Sequence, residues 1–327
     1  MALDIVTIGL ACSDVLLKPM VRELFDRDAI TLDSIMSHSG GDAVNTAIDC
    51  QKMGLEAGVV CKVGTDTFAN PIWANLKDAG VNTQGVVEDP SVATSVSIVC
   101  IEPDGQRHFA VNQEANNSLC YEDVDVNFIK NSGAKILQYG SAVSCPKMDE
   151  GIGKLFAECQ EAGMLTSCDM SCADDMVEAM KILEPMFQHL DIFLPSMYEV
   201  TALTGKQTCE EIEEFFRPYG LKMMAIKLGG DGCFVTDFKK HRYIRTFENA
   251  PVIDTTGCGD SFVAGFLTGV IKGWDVEECA VYGNAVGSCN CQKIGANTGV
   301  RSFEETMQFI RENIEYVPED LRGRFVK

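Results

Sequence analysis

This 327-residue sequence has little positive charge: 27 Lys and Arg stand against 48 Asp and Glu, which leaves a formal net charge of −21. A chain this negative repels nucleic-acid phosphates and anionic lipid alike, so we expect no nucleic-acid partner and no role at a membrane surface. A small anionic ligand such as a nucleotide stays compatible with the charge. Exposed charges are screened beyond ~8–10 Å, and local amides or a metal ion can outweigh them.

Long apolar runs are also missing. No run approaches the ~20 residues that a membrane-spanning helix needs, and the longest candidate, 262–271, is interrupted by small residues. Residues 1–9 have no basic stretch and carry Asp4, so they are predicted to form a first strand and not a signal peptide. We therefore expect a cytoplasmic protein that does not enter membranes.

Metal-binding spacings are absent. The four histidines fall in separate segments, which supports neither a zinc site nor a Ser/His/Asp triad. Fifteen cysteines are scattered through apolar stretches without a C-x-x-C pair, and the nearest pairs are Cys168/Cys172 and Cys289/Cys291. We interpret these cysteines as buried, reduced thiols of a cytoplasmic protein.

Three familiar nucleotide-binding signatures are absent as well. Gly205-Lys206 lacks the earlier glycine and the following Ser or Thr of a P-loop. Residues 257–262 lack the third glycine of a dinucleotide-binding fingerprint, and 241–243 is not the H-R-D loop of protein kinases. A nucleotide site in this chain must therefore be built in another way.

Short β-branched runs alternate with helical patterns along most of the chain. The predicted strands lie at 3–9, 58–63, 135–140, 164–169, 190–194 and 222–228. Asn70-Pro71 is predicted to be a helix cap followed by proline at the first helical position, and capping boxes begin at Thr208 and Ser302. This alternation is typical of an α/β fold with a doubly wound, mostly parallel sheet flanked by helices.

Two insertions break the alternation. Residues 92–112 contain alternating apolar residues that turn at Pro103-Asp-Gly105 and return, which predicts a hairpin. Residues 14–39 are strand-like at their ends, 15–17 and 35–37. Four short antiparallel strands from these insertions would form a small β-sheet placed as a lid over a site. We expect a single domain, 1–327, that carries this lid.

The window Asp254-Thr-Thr-Gly-Cys-Gly-Asp260 is the most informative. A buried helix is predicted to begin at about Gly259, and Gly257 and Gly259 would leave backbone amides bare at its positive end, where a phosphoryl group could lie. The alternative is a glycine-rich turn in which Asp260 only stabilises the helix, by ~0.3–1 kcal/mol. The residues alone leave both interpretations open.

This window resembles the D-T-x-G-A-G-D signature of the ribokinase-like (PfkB-type) carbohydrate kinases, with Cys258 at the usual alanine. Four further segments, in the order of that family, extend the resemblance over nearly the whole chain. They are Asp14, Gly40-Gly41-Asp-Ala-Val-Asn45, Ser196-Met-Tyr-Glu199 and Lys227-Leu-Gly229-Gly-Asp-Gly232. The resemblance implies the ribokinase-like fold.

It also implies an activity: transfer of the γ-phosphoryl group of ATP to a sugar hydroxyl. Asp260 would be the catalytic base, and the amides of Gly257, Cys258 and Gly259 would form the anion hole. A carboxylate at a helix N-terminus should stay ionised and only weakly basic. That is sufficient, because a loose phosphoryl-transfer transition state needs little early proton abstraction.

On the acceptor side, the resemblance implies that Asp14 binds sugar hydroxyls and that Asn45 points its amide at substrate oxygens. Gly40 and Gly41 would let the ligand approach the backbone. Ordinary alternatives stay open for each: Asp14 as a turn cap, the two glycines as a loop entering a helix, and Asn45 as a polar residue of the first turn.

The acceptor itself is predicted to be a neutral furanose or ketose. Phe109 is the only ring in the hairpin, which favours a sugar over a nucleoside base that would stack. A sugar acid would need an arginine, and Arg107 is the single candidate. Asn116 would touch the substrate or else cap a loop. A nucleoside kinase and a catalytically silent sensor remain the alternatives.

On the nucleotide side, Lys227, Gly229 and Gly232 would form a turn under ATP, although a β-turn predicts the same glycines. Asn284 would line the adenine pocket or lie between helices. Ser196 stands where the family usually has Asn, so the contact of this segment with the phosphates is open.

Cations and a partner are also implied. Glu199 would position Mg²⁺ through water, or be an ordinary solvated helix acid. Asp254 and Thr256 would hold a monovalent cation such as K⁺ through main-chain oxygens. The exposed edge of the hairpin, together with the resemblance, predicts a homodimer formed through the lid.

Overall fold

A computed structural model describes residues 2–103, 107–171, 175–248 and 251–326, without the side chain of Arg107. The predicted turn residues Asp104 and Gly105, and Cys172, lie outside the described residues. Thirteen strands run through the described part: β1 (Ile5–Ile8), β2 (Cys12–Lys18), β3 (Ser34–Gly40), β4 (Ala57–Val63), β5 (Asn82–Glu88), β6 (Val96–Ile101), β7 (Arg107–Asn112), β8 (Ile136–Ala142), β9 (Leu165–Met170), β10 (Ile192–Phe193), β11 (Met223–Lys227), β12 (Cys233–Thr236) and β13 (His241–Ile244).

Nine of these strands form one large sheet in the order β13-β12-β11-β10-β9-β8-β1-β4-β5. The pairs from β11 to β5 are parallel, and only β12 and β13 are added antiparallel at one edge. The six predicted strands all belong to this sheet, although the strand predicted at 190–194 is reduced to Ile192–Phe193. The mostly parallel, doubly wound sheet predicted from the alternation is confirmed.

Twelve α-helices accompany the sheet within the described residues: α1 (Asp42–Lys52), α2 (Ala69–Ala79), α3 (Glu114–Ser118), α4 (Val126–Asn131), α5 (Pro146–Glu161), α6 (Met176–Phe187), α7 (Met197–Thr204), α8 (Cys209–Phe216), α9 (Cys258–Ile271), α10 (Val276–Asn290), α11 (Phe303–Glu312) and α12 (Arg322–Phe325). Two apolar cores lie on opposite faces of the sheet. One joins it to α1, α2, α9, α10 and α11, and the other to α5, α6, α7 and α8. Because helices cover both faces of the sheet, β1, β4 and β8 are fully buried, which explains their mostly apolar sequences.

Helix starts follow the local signals with one exception. The capping boxes at Thr208 and Ser302 are both formed. The cap predicted at Asn70 is wrong, because α2 begins at Ala69 and the turn before it is closed by Asp66, whose Oδ1 accepts a hydrogen bond from the Phe68 N–H at 2.8 Å. Proline at position 71 still fits, since the first N–H groups of a helix have no intrahelical partner.

The other four strands form a small sheet in the order β3-β2-β6-β7. The hairpin β6–β7 and the antiparallel pair β2–β3 are formed as predicted. The expectation of four antiparallel strands is wrong in one respect, because β2 and β6 are parallel. The two insertions leave the main sheet side by side, so their first strands, β2 and β6, run in the same direction. Their second strands, β3 and β7, return along the two outer edges of the small sheet.

Two further findings concern the state of the cysteines and the presence of membrane-spanning helices. The fourteen cysteines within the described residues are all free, in line with the expected reduced thiols. Among the helices described, none is long and apolar enough to cross a membrane.

Candidate active site

Two cavities meet at the turn that precedes α9. The larger, of about 600 Å³, is lined by Thr255, Cys258 and Gly259 together with residues after β11 and on α10. The smaller, of about 200 Å³, is lined by Asp254 and Thr256 together with residues of the small sheet. Alternate residues of one turn therefore face two different cavities.

Gly257 makes this turn possible. Its φ is +70°, and a Cβ there would lie 2.0 Å from the carbonyl oxygen of Ala296. No other residue type fits, because the left-handed backbone and the close approach both require glycine. Gly259 is less constrained, since a Cβ there would be 3.6 Å from Lys227 Nζ. Helix α9 begins directly after Gly257, so its first N–H groups have no intrahelical partner, and Cys258 and Gly259 line the larger cavity. The Cys258 N–H donates to Thr255 O at 3.2 Å, so a ligand there would share or replace that contact.

Asp260 lies in the first turn of α9 and is bound by a residue distant in sequence. Asn45, in the first turn of α1, donates from Nδ2 to Asp260 Oδ2 at 2.8 Å. Burial raises the pKa of Asp260, while the Asn45 bond and Lys227 lower it and Glu199 raises it, with a net increase. Removal from water outweighs the favourable helix terminus, so Asp260 is a stronger base than an ordinary carboxylate at a helix N-terminus.

Lys227 supplies positive charge beside this carboxylate. Its Nζ forms an ion pair with Asp169, at the carboxyl end of β9. Burial lowers the pKa of Lys227, but Asp169, Glu199 and Asp260 raise it by more, so the ammonium stays charged. Burial in turn raises the pKa of Asp169 to about 7 despite its partner. Asp169 was not predicted as a site residue, and the available signal was its position as the last residue of the predicted buried strand 164–169.

Asp42 is a second carboxylate that the sequence analysis missed, although it lies inside the Gly40–Asn45 segment. Its Oδ1 accepts hydrogen bonds from Ser141 Oγ at 2.5 Å and from the Leu10 N–H at 3.3 Å. Burial, followed by the charge of Asp260, raises the pKa of Asp42 to about 8. The signal was an acid at the start of an otherwise buried helix.

On the nucleotide side, Ser196, Glu199, Lys227, Gly229, Gly232 and Asn284 all line the larger cavity. Ser196 and Glu199 form a capping box at the start of α7: Ser196 N–H donates to Glu199 Oε2 at 2.7 Å, and Glu199 N–H donates to Ser196 Oγ at 3.3 Å. Ser196 thus supplies the helix cap, a role that Asn fills equally well.

The glycine turn and Asn284 make structural contacts and also line the larger cavity, and their predicted contacts with ATP stay predictions. A Cβ at Gly232 would lie 2.1 Å from Ile244 O, so the close strand β13 already requires glycine there. Gly229 has φ +62° and open space around it. Asn284 donates from Nδ2 to Ile244 O at 3.1 Å and to Arg245 O at 3.2 Å while it lines the cavity.

The residues fit Mg²⁺ as an ion carried with a nucleotide. Glu199 offers carboxylate oxygen on the cavity wall, and Mg²⁺ commonly takes one or two carboxylates with phosphates and water. In the described part of the chain no cluster of three His, Cys, Asp or Glu could hold a metal by itself. The Asp254 carboxylate supports the turn by accepting from Thr256 N–H at 2.8 Å and Gly295 N–H at 3.0 Å, and the predicted K⁺ contact stays a prediction.

On the acceptor side, Asp14 and Phe109 line the smaller cavity. A Cβ at Gly40 would lie 2.2 Å from Asp14 Oδ2, and one at Gly41 would lie 2.4 Å from Leu10 O. Close contacts within the chain therefore already require glycine at both positions, without a ligand. Asp14 Oδ1 accepts a hydrogen bond from the Cys12 thiol at 3.3 Å.

Asn116 is not among the described residues that line either cavity. Its Oδ1 accepts from the Ala11 N–H at 3.1 Å, and its own N–H donates to Ser95 Oγ at 3.1 Å. These contacts place it where the two insertions leave the main sheet, so its predicted substrate contact stays a prediction.

Comparisons with known proteins agree with this geometry. The family model described as pfkB family carbohydrate kinase matches residues 2–302. Fructokinase-1 of Zea mays is 29% identical over 292 residues, which are 84% of this chain and 88% of that protein. Two solved structures share the fold: ribokinase of Arabidopsis thaliana complexed with ribose and ATP (TM-score 0.80, 23% identity, 95% of this chain and 99% of that one), and fructokinase of Xylella fastidiosa with bound ATP (TM-score 0.81, 19% identity, 94% and 98%).

Proposed function

This chain belongs to the pfkB family of carbohydrate kinases, and from that premise we propose that it transfers the γ-phosphoryl group of ATP to a hydroxyl of a small neutral sugar of the ribose or fructose type. A relative named fructokinase and a structural neighbour solved with ribose and ATP support this choice of acceptor. The observation that carries the proposal is the turn before α9, because its residues face the larger and the smaller cavity alternately.

In this proposal ATP occupies the larger cavity and the sugar occupies the smaller one. The amides of Gly257, Cys258 and Gly259 at the start of α9 stabilise the charge of the phosphoryl group as it moves. Lys227 adds positive charge from the opposite wall. Glu199 would hold, through water, the Mg²⁺ carried with ATP, an ion that would supply neutralisation of phosphate charge.

Asp260 accepts the proton of the attacking hydroxyl in this proposal. Its raised pKa suits the task, because a base works best when its pKa approaches the working pH. Asn45 holds one carboxylate oxygen, which fixes the direction of the other.

The acceptor is uncharged for an electrostatic reason. Asp14 lines the smaller cavity; burial raises the pKa of the neighbouring Cys12 thiol, and the charges of Asp14 and Asp260 raise it further. A carboxylate or phosphate on the acceptor would meet this negative field. Gly40, Gly41, Phe109 and Asn116 stay proposed substrate contacts.

The small sheet acts as the lid of a single domain, 1–327, and pairs with a second copy through the free edge of its hairpin. The free thiols of the described cysteines support a cytoplasmic location. Gel filtration tests the pairing: a homodimer is expected, and a clean monomer would contradict it.

A coupled ADP-release assay with ATP, Mg²⁺ and a panel of sugars, sugar acids and nucleosides tests the activity. We expect turnover on a neutral sugar and little on sugar acids. Turnover of nucleosides alone would favour the nucleoside kinase, with Phe109 against the base. Tight ATP binding without turnover of any panel member would favour the sensor.

Asp260→Asn tests the base. We expect kcat to fall by ~10²–10⁴-fold with nearly unchanged ATP affinity. Asp275→Asn is the matched control, because Asp275 also lies at a helix N-terminus, where it accepts from the Glu277 and Glu278 N–H groups. If kcat of Asp260→Asn falls only as little as kcat of the control, Asp260 is not the base and only stabilises the helix.

A further inference from the structure

One stripe of α1 is polar although it faces the protein interior. Asn45 and Asp49 lie one helical turn apart on this stripe and are 4% and 0% exposed. Asn45 contacts Asp260, and Asp49 Oδ2 accepts a hydrogen bond from Ser261 Oγ at 2.8 Å. Two consecutive residues of α9 are therefore each bonded to one of two residues a turn apart on α1.

Each of these α1 side chains keeps one oxygen without a partner among the described residues. The atoms are Asn45 Oδ1 and Asp49 Oδ1, and both are shielded from solvent. An ionised Asp49 would leave both as buried acceptors with no donor, which is unfavourable. One proton on Asp49 turns its Oδ1 into a donor, and side chains four residues apart on a helix are neighbours.

We propose that Asp49 is a positioning residue: it is an uncharged carboxylic acid that donates a hydrogen bond to Asn45 Oδ1 and so fixes which end of the Asn45 amide faces Asp260. Its effect on catalysis rests on the proposed role of Asp260 as base. The side-chain amide of Asn45 has a carboxyl group on either side, Asp260 and Asp49, and its NH₂ end turns toward the one that is charged. With Asp49 uncharged the NH₂ group faces Asp260. An ionised Asp49 would attract it and turn the amide oxygen against the Asp260 carboxylate.

The surroundings of Asp49 favour the uncharged acid. Complete burial raises its pKa well above the ordinary value; the Ser261 bond and Lys52 lower it, and Asp260 raises it again, with a net increase. Lys52 lies further along α1, and its Nζ donates to Asn297 O at 2.6 Å. Lys52, the cation that acts on Asp49, is thus directed at a backbone carbonyl.

Two substitutions at position 49 separate this role from simple packing. Asp49→Asn keeps an acceptor for Ser261 and a donor for Asn45, so kcat should stay within about threefold of wild type. Asp49→Leu has a similar size but no donor. It should lower kcat by roughly 10- to 100-fold with an unchanged KM for ATP, because Asp260 loses its oriented partner. Ser261→Ala is the matched control: it removes the other bond of Asp49, and kcat should stay within about threefold.

Infrared spectroscopy provides a readout that does not depend on turnover. Wild type at neutral pH should show the C=O stretch of a buried protonated carboxylic acid that is missing from both Asp49→Asn and Asp49→Leu. Absence of that band in wild type, or a kcat in Asp49→Asn as low as in Asp49→Leu, would overturn the inference. If no sugar is phosphorylated by wild type, the proposed function fails, and the infrared comparison still decides the protonation of Asp49. If Asp49→Leu does not fold, Asp49→Asn and the infrared band decide.

Discussion

Replacing Gly257 by alanine tests the turn on which the site depends. The left-handed backbone at φ +70° alone costs an alanine ~1–2 kcal/mol. The new Cβ would lie 2.0 Å from Ala296 O, so the backbone around 296 must also move. We expect a total loss of ~3–5 kcal/mol in the free energy of unfolding. Because the displaced turn carries the N–H groups that would bind the phosphoryl group, kcat should fall by ~100-fold or more.

Gly229→Ala is the matched control for this substitution. Gly229 has φ +62°, close to that of Gly257, but a Cβ there would meet nothing within 4 Å. Its loss should be only ~1–2 kcal/mol, the cost of the backbone conformation. Urea denaturation followed by circular dichroism measures both free energies, and the ADP-release assay measures kcat. Equal losses of stability in the two variants would refute the argument that contact with Ala296 makes glycine necessary.

Three further predictions concern the charged groups. Burial raises the pKa of Asp42 to about 8, so this group opposes folding increasingly as pH rises from 4 to 8. The gain in stability of Asp42→Asn over wild type should therefore grow across this range. If the urea midpoints of variant and wild type differ by the same amount at pH 5 and at pH 8, the prediction is contradicted. Lys227→Met leaves Asp169 buried without its ammonium and should cost ~3–5 kcal/mol of unfolding free energy, much of it restored in the double variant with Asp169→Asn; purely additive losses would refute the pairing. Because Asp260 must be ionised to act as base, kcat/KM should fall as pH drops through its raised pKa, and a profile that stays flat below pH 5 would contradict this.

Local signals predicted much of the fold. The capping boxes at Thr208 and Ser302 and the hairpin β6–β7 depend on residues close together in sequence, and all three are formed. The cap at Asn70 failed because a nearby Asp-based turn competes for the same helix start. The parallel pairing of β2 with β6 could not be predicted, since it depends on where two distant insertions leave the sheet.

The site, too, has residues that the sequence reveals and contacts that only the fold reveals. Asp260 and the glycines before it stand out as a motif, whereas its bond to Asn45 joins residues 215 positions apart and appears only in the fold. An acid in a sequence is expected at the surface, so the burial of Asp42, Asp49 and Asp169 had at most an indirect signal, their position in a buried helix or strand. Their raised pKa values come from the tertiary structure that removes them from water.

The contacts of Asn116 join the two insertions at their base. Its Oδ1 accepts from the N–H of Ala11, just before β2, and its own N–H donates to Ser95 Oγ, just before β6. Since β2 and β6 are also paired with each other, the four strands of the small sheet are linked to one another as well as to Asn116. In the lid and the homodimer proposed above, a displacement of β2 toward a sugar would therefore also displace the hairpin edge that faces the second copy.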